Sequence, residues 1–401
     1  MPTDNGTRRR AVVVAGAAAA GLIVLGAPVT ALALTGTFSA APPSPSRPAV
    51  NTAPGNPHWT AAGGRGAAGG STGTAPASGA ANSPAASPGA AGYRAYVALS
   101  GGSSVAEVDV ATDTIISDSI RVDSTEGVAV TPVGSVIYAA ETGQYDVRAV
   151  NASTRKTVAS IKVGPYPQDV AVSPDGSKVY ATVTGGDTGY GGSDTVAVIG
   201  TAANTVTGHI RVGPGPRQVV FSPDGSRAYV TTEAGVYEID TATSRVARVI
   251  RGFGAGGAQG IAVSPDGKTL YVTYPNAGQL LEINAATGRY EGLTRAGAQP
   301  YAVTVTPDGS TVYVADTNSN SVTVISAATG RTRGTVQTGS LPMSIAATPD
   351  GSQVWVGNGL SGSITVINTS DNSVKTTISG GPGTSALNSE PLAIAFTRTS
   401  P

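Results

Sequence analysis

The sequence predicts an all-β protein, a seven-bladed β-propeller with four-stranded blades. Three observations predict it: a turn phrase with a fixed period, an aromatic at a fixed distance after it, and two part-blades at the ends of the region that complete each other. The phrase reads TPVG at Thr131, SPDG at Ser173, Ser222 and Ser264, and TPDG at Thr306 and Thr348. Its prolines, at 132, 174, 223, 265, 307 and 349, are spaced 42, 49, 42, 42 and 42 residues apart. A period near 42 that holds four short Val/Ile/Tyr/Thr runs is the pattern of a propeller blade. The single spacing of 49 marks an insertion, Thr184 to Thr195.

Read from the start, the chain divides into three regions. In residues 1–34, Arg8, Arg9 and Arg10 precede an uncharged run from Ala11 to Leu34. This is an export element, with the arginines left in the cytoplasm. The small-x-small triplet Ala31-Leu32-Ala33 suits a cleaved signal peptide. The length also suits an N-terminal membrane anchor, at about 1.5 Å per residue across about 30 Å. Residues 35–92 are rich in Ala, Gly, Pro and Ser and cannot bury a core, so they are expected to be a disordered linker. At Tyr93 the composition changes to short β-branched and aromatic runs between Gly/Pro/Asp turns, and residues 93–401 form the propeller region.

Within that region, the residue six after each proline is Tyr138, Tyr180, Tyr229, Tyr271, Tyr313 or Trp355. These positions fall in the second strand of each blade, where a large ring fills the wedge between blades. The preceding strand carries small residues such as Ala171, Ala262 and Ala346, as expected close to a crowded axis. The C-terminal PLAIAFTRTSP matches a first strand, and the N-terminal stretch from Tyr93 matches strands two to four, with Tyr96 as the seventh ring. The seventh blade is therefore closed by one C-terminal strand and three N-terminal strands, which leaves no open edge.

Composition narrows the chemistry. The chain has 25 basic and 25 acidic residues, so no bulk field favours nucleic acid. It has no cysteine, which removes disulfides, thiolate metal sites and cysteine nucleophiles. Of two histidines only His209 lies in the propeller region, on an outer strand and without a GxSxG phrase, so no nucleophilic triad is expected. The aspartates Asp175, Asp224, Asp266, Asp308 and Asp350 suit a three-residue hairpin turn, one per blade and too far apart to share a substrate. The GxGxxG match from Gly252 to Gly257 is followed by no helix, so it reads as a connecting loop. No cofactor and no metal ligand set is expected.

The phrases YVTT at Tyr229, YVTY at Tyr271 and YVAD at Tyr313, with the PDG turns, resemble the YVTN-type seven-bladed β-propeller repeat family of extracytoplasmic and surface-layer-like proteins. The resemblance covers 93–401. It implies a binding or structural module and says little about activity. The usual asparagine after the second strand is replaced by Glu141, Thr232 and Tyr274.

Function is therefore expected in loops that do not repeat. The residues leading the first strands, Glu126, Gln168, Arg217, Gln259, Tyr301, Met343 and Leu392, should face the channel mouth. On the same face, Tyr145, Tyr166 and Tyr190, with Asp169 and Asp187, are candidates for an aromatic, polar patch on adjacent blades. The expected role is an exported, non-enzymatic module, secreted or anchored at the cell surface, with a protein or cell-envelope glycan as partner and a monomeric state. The alternative is a lactonase-like hydrolase acting on a small substrate at the channel mouth.

Overall fold

The computed structural model describes residues 92–185, 194–252, 256–380 and 389–398. They form seven four-stranded antiparallel sheets arranged as the blades of a propeller. Blade 1 runs from Thr125 to Lys162, blade 2 from Pro167 to Arg211, and blade 3 from Val219 to Arg251. Blades 4, 5 and 6 run from Ile261 to Arg295, Pro300 to Gln337 and Pro342 to Ser379. Blade 7 joins the strand Pro391–Arg398 to the strands Tyr93–Leu99, Ser104–Asp109 and Thr114–Arg121. Its closing pair is antiparallel, with Ala95 opposite Phe396 and Val97 opposite Ile394. The predicted closure is thus the observed one. Among the described residues no helix is long and apolar enough to cross a membrane.

The core is divided among the seams between blades. Each second-strand ring packs on the blade that follows: Tyr138 sits with Val170 and Val179, Tyr180 with Val219 and Val230, and Trp355 with Ala95 and Val97. Tyr96 closes the ring against Ile137 of blade 1. Trp355 and Tyr313 have no exposed surface, and a fully buried aromatic contributes roughly 3–5 kcal/mol, judged by truncation to alanine.

The repeated turns behave as turn chemistry. In the Ser173 turn, Ser173 Oγ donates to Asp175 at 2.6 Å, Asp175 accepts the Ser177 N–H at 3.0 Å, and Gly176 takes φ 72°. The Ser264 turn repeats this, with Ser264 Oγ on Asp266 at 2.6 Å and the Lys268 N–H at 3.1 Å. These donors favour the ionised carboxyl and hold Asp175 and Asp266 down at about 2.

Polar clasps cross the seams near the axis and near the rim. Near the axis, the hydroxyls of Thr182, Thr231 and Thr273 donate to the carbonyls of Arg217, Gln259 and Tyr301 in the next blade, at 2.7–2.8 Å. Blade 6 has Gly357 at that position, where a Cβ would strike Ser344 Oγ and the Pro391 carbonyl. Ser344, opposite Gly357 on the first strand, donates to that carbonyl instead at 2.9 Å. Near the rim, side chains reach the next blade's third-to-fourth-strand turn. Tyr138 donates to Asn204, Tyr313 to Asn372, and Lys375 pairs with Asp113, all at 2.7 Å.

Candidate functional site: the channel mouth and its tyrosine pair

First strands start at the channel mouth because each blade's chain enters on that face. All seven predicted mouth residues are half-buried, as expected for side chains lining a narrow axial channel. Three of them share a field. Glu126 leads the inner strand of blade 1, and burial raises its carboxyl, with Glu390 of blade 7 adding to the shift. Burial also raises the Tyr301 phenol; Glu126 pushes it the same way and Arg217 opposes them. Tyr301 on blade 5 therefore feels both Glu126 of blade 1 and Arg217 of blade 3. The Arg217 guanidinium is anchored on the neighbouring blade, where Nη1 donates to Gln259 Oε1 at 2.6 Å. Among the described residues no group of three His, Asp or Glu could hold a metal ion.

Asp169 reaches along the ring to the next blade. Its carboxylate turns along the ring and accepts the Val219 N–H of blade 3 at 3.0 Å. Gln218 repeats the motif one blade on, accepting the Ile261 N–H at 2.7 Å. These side chains occupy backbone donors at the start of blades 3 and 4, whose first strands are only three residues long. Desolvation raises the half-buried Asp169 carboxyl to about 7 against the opposing backbone donors. It braces the ring.

Tyr145 and Tyr166 do meet. Their rings lie edge to face, centroids 5.3 Å apart at 69°, across the loops of blade 1 and the lead-in to blade 2. Tyr145 is 39% exposed. Both have left-handed backbone, φ 60° and 50°. Equivalent second-to-third-strand turns carry Gly278, Asn320, Gly362 and the small Ser103 at that conformation, glycine and asparagine tolerating it best. Blade 1 places a tyrosine there instead. Asp187 and Tyr190 lie outside the described residues.

Two buried carboxyls lie at the ends of second strands: Glu141, which the sequence marked only as a departure from the repeat, and Asp316. Glu141 pairs with Arg148 at 2.8 Å, accepts the Asp123 N–H at 2.6 Å, and faces Asp146 across the strands. Burial, then the Asp146 carboxyl, raises it to about 7. Asp316 holds the Gly297 N–H at 3.0 Å and is raised by burial to about 6. Both stand where the repeat is expected to carry asparagine, and both brace the loop leading into their own blade. An acidic residue ending an otherwise apolar strand was the available signal.

The sequence profile described as "Lactonase, 7-bladed beta-propeller" matches residues 170–331 and 272–380. Together these matches span just over half of the chain, so the protein belongs to this family of seven-bladed propellers. Among solved structures, it is similar to Kuenenia stuttgartiensis hydrazine synthase, at 22% identity and TM-score 0.62, covering 73% of this chain and 99% of that one. It is also similar to a functionally unknown protein from Desulfotomaculum acetoxidans DSM 771, at 13% identity and TM-score 0.62, covering 77% and 99%. At these identities the likeness is one of fold. No curated protein matches the chain.

Proposed function

We propose that this lactonase-family propeller is an interaction module of the YVTN-repeat kind. It is exported through residues 1–34, carried on the 35–92 linker, and binds a protein or glycan on the channel-mouth face. The observation that carries this reading is the Tyr145–Tyr166 pair. A bulky side chain at a left-handed turn costs about 1 kcal/mol relative to glycine. Paired rings with one edge in solvent suit a sugar face or an apolar side chain. The full-length chain immobilised against cell-envelope extract is expected to retain a defined partner. The double variant Tyr145→Ala/Tyr166→Ala should lose that partner and melt within a few degrees of the parent. Equal retention by parent and variant contradicts the reading.

Family membership favours a second reading, hydrolysis of a small lactone at the channel mouth. Glu126, Tyr301 and Arg217 are the groups that would orient it. Turnover of a lactone series that Glu126→Gln abolishes supports this reading; no turnover of any lactone removes it.

A further inference from the structure

In three blades the residue opposite the second-strand ring is a glutamate: Glu107 faces Tyr96, Glu238 faces Tyr229, and Glu282 faces Tyr271. The other four blades place Ala149, Val198, Val324 and Val366 there. A carboxylate at this half-apolar seam needs a cation. Glu107 has two, Arg94 from its own blade and Arg155 from the turn of blade 1 at 2.9 Å. Glu238 also has two, Arg227 at 3.1 Å and Arg248 at 2.8 Å. Arg248 continues across the seam to the carbonyls of Ala285 and Ala286, at 2.6 and 3.0 Å.

Glu282 has neither. The position of Arg94 and Arg227 is Thr269, that of Arg248 is Gly292, and that of Arg155 is Gly330. A Cβ on Gly292 would come within 2.7 Å of Glu282 Oε2, and one on Gly330 within 3.0 Å of Oε1. The two glycines thus form a cradle around the carboxyl. Glu282 Oε1 is sealed from solvent without a hydrogen bond, while the side chain as a whole is only half-buried. Glu291 is its charged neighbour, and no salt bridge among the described residues includes Glu282. The turn carbonyls that Arg248 caps at the previous seam have their counterparts here in Ala327 and Ala328.

We propose that the seam between blades 4 and 5 binds a guanidinium group, such as an arginine side chain, between Glu282 and the turn at Ala327–Ala328. Glu282 supplies the carboxylate, offering both oxygens to a planar guanidinium once the half-buried side chain turns Oε1 out of its glycine cradle, and the turn carbonyls take the remaining N–H groups. No arginine of the chain stands at any of the three positions that supply one at the other two seams.

The test titrates N-acetyl-L-arginine amide, free L-arginine and N-acetyl-L-lysine amide into the full-length protein, reading the Gly292 and Gly330 amide resonances. Saturable shifts with the arginine amide, at least tenfold weaker with the lysine amide, are expected. Glu282→Gln should weaken binding tenfold or more. Thr269→Arg, which supplies an internal partner, should abolish binding and raise the melting temperature by a degree or more. Equal binding of free and blocked arginine assigns the site to a partner's side chain, and tighter binding of the free amino acid assigns it to a small molecule. Absence of arginine-specific shifts in the parent, or unchanged binding in both variants, overturns the proposal.

Discussion

The seams on either side of blade 4 are built on one plan and differ in charge balance. Each buries a tyrosine against the next blade, Tyr229 on blade 4 and Tyr271 on blade 5, and each sets a glutamate opposite that tyrosine. Between blades 3 and 4, two arginines neutralise Glu238, and one of them ties the blades together. Between blades 4 and 5, glycines stand in for arginine, and the Thr294 hydroxyl on the Gly330 carbonyl at 2.6 Å makes the crossing. A repeat protein can therefore keep its apolar wedge constant while individual seams gain or lose polar bonds. The wedge sets stability, and the polar layer sets what each seam can recognise.

The largest expected effect treats the seams alike. Tyr229→Ala and Tyr271→Ala should each cost about 3–5 kcal/mol in chemical denaturation, since the buried ring is common to both. A loss at one seam only would break the comparison at its apolar base. Next, Arg248→Ala should cost about 1–3 kcal/mol, because it leaves Glu238 half-neutralised and two turn carbonyls uncapped. Smaller and opposite in sign, Thr269→Arg should stabilise by about 0.5–1 kcal/mol, limited by the solvent exposure of the new arginine.

A separate expected effect concerns pH and separates axis from turns. Asp169, at about 7, and Asp316, at about 6, hold protons more tightly folded than unfolded. Stability from these groups should therefore fall as pH rises from about 4 towards 7. Asp175 and Asp266, at about 2, act oppositely: their contribution is present above about 4 and lost as pH falls towards 2. Thermal melts should peak between these windows, and Asp169→Asn should flatten the slope on the neutral side. An unchanged slope in that variant would remove Asp169 from the account.

The blades were legible because each carries its own turn, ring and alternation, all within about 42 residues. Closure was legible because the end strands match known blade positions. The polar bonds across the seams were not, because their partners lie one repeat away on neighbouring blades. Arg248 reaches Ala285, and Asp169 reaches Val219, contacts that no local pattern encodes. Glu282, in a run of otherwise apolar or small residues, reads as an outward-facing position in an alternating strand; only the register against Tyr271 places it in the seam. The Tyr145–Tyr166 contact was foreseeable, since both loops emerge on one face of adjacent blades.

The most direct test compares unfolding free energies of Glu238→Val and Glu282→Val, the residue that blades 2, 5 and 6 use at this position. Glu238→Val should destabilise by about 2–3 kcal/mol, because it leaves Arg248 without a carboxylate and Arg227 with Asp240 alone. Glu282→Val should be neutral or stabilising, because it removes a carboxyl with no cation. Equal losses in the two variants would contradict the claim that one seam is charge-balanced and the other open.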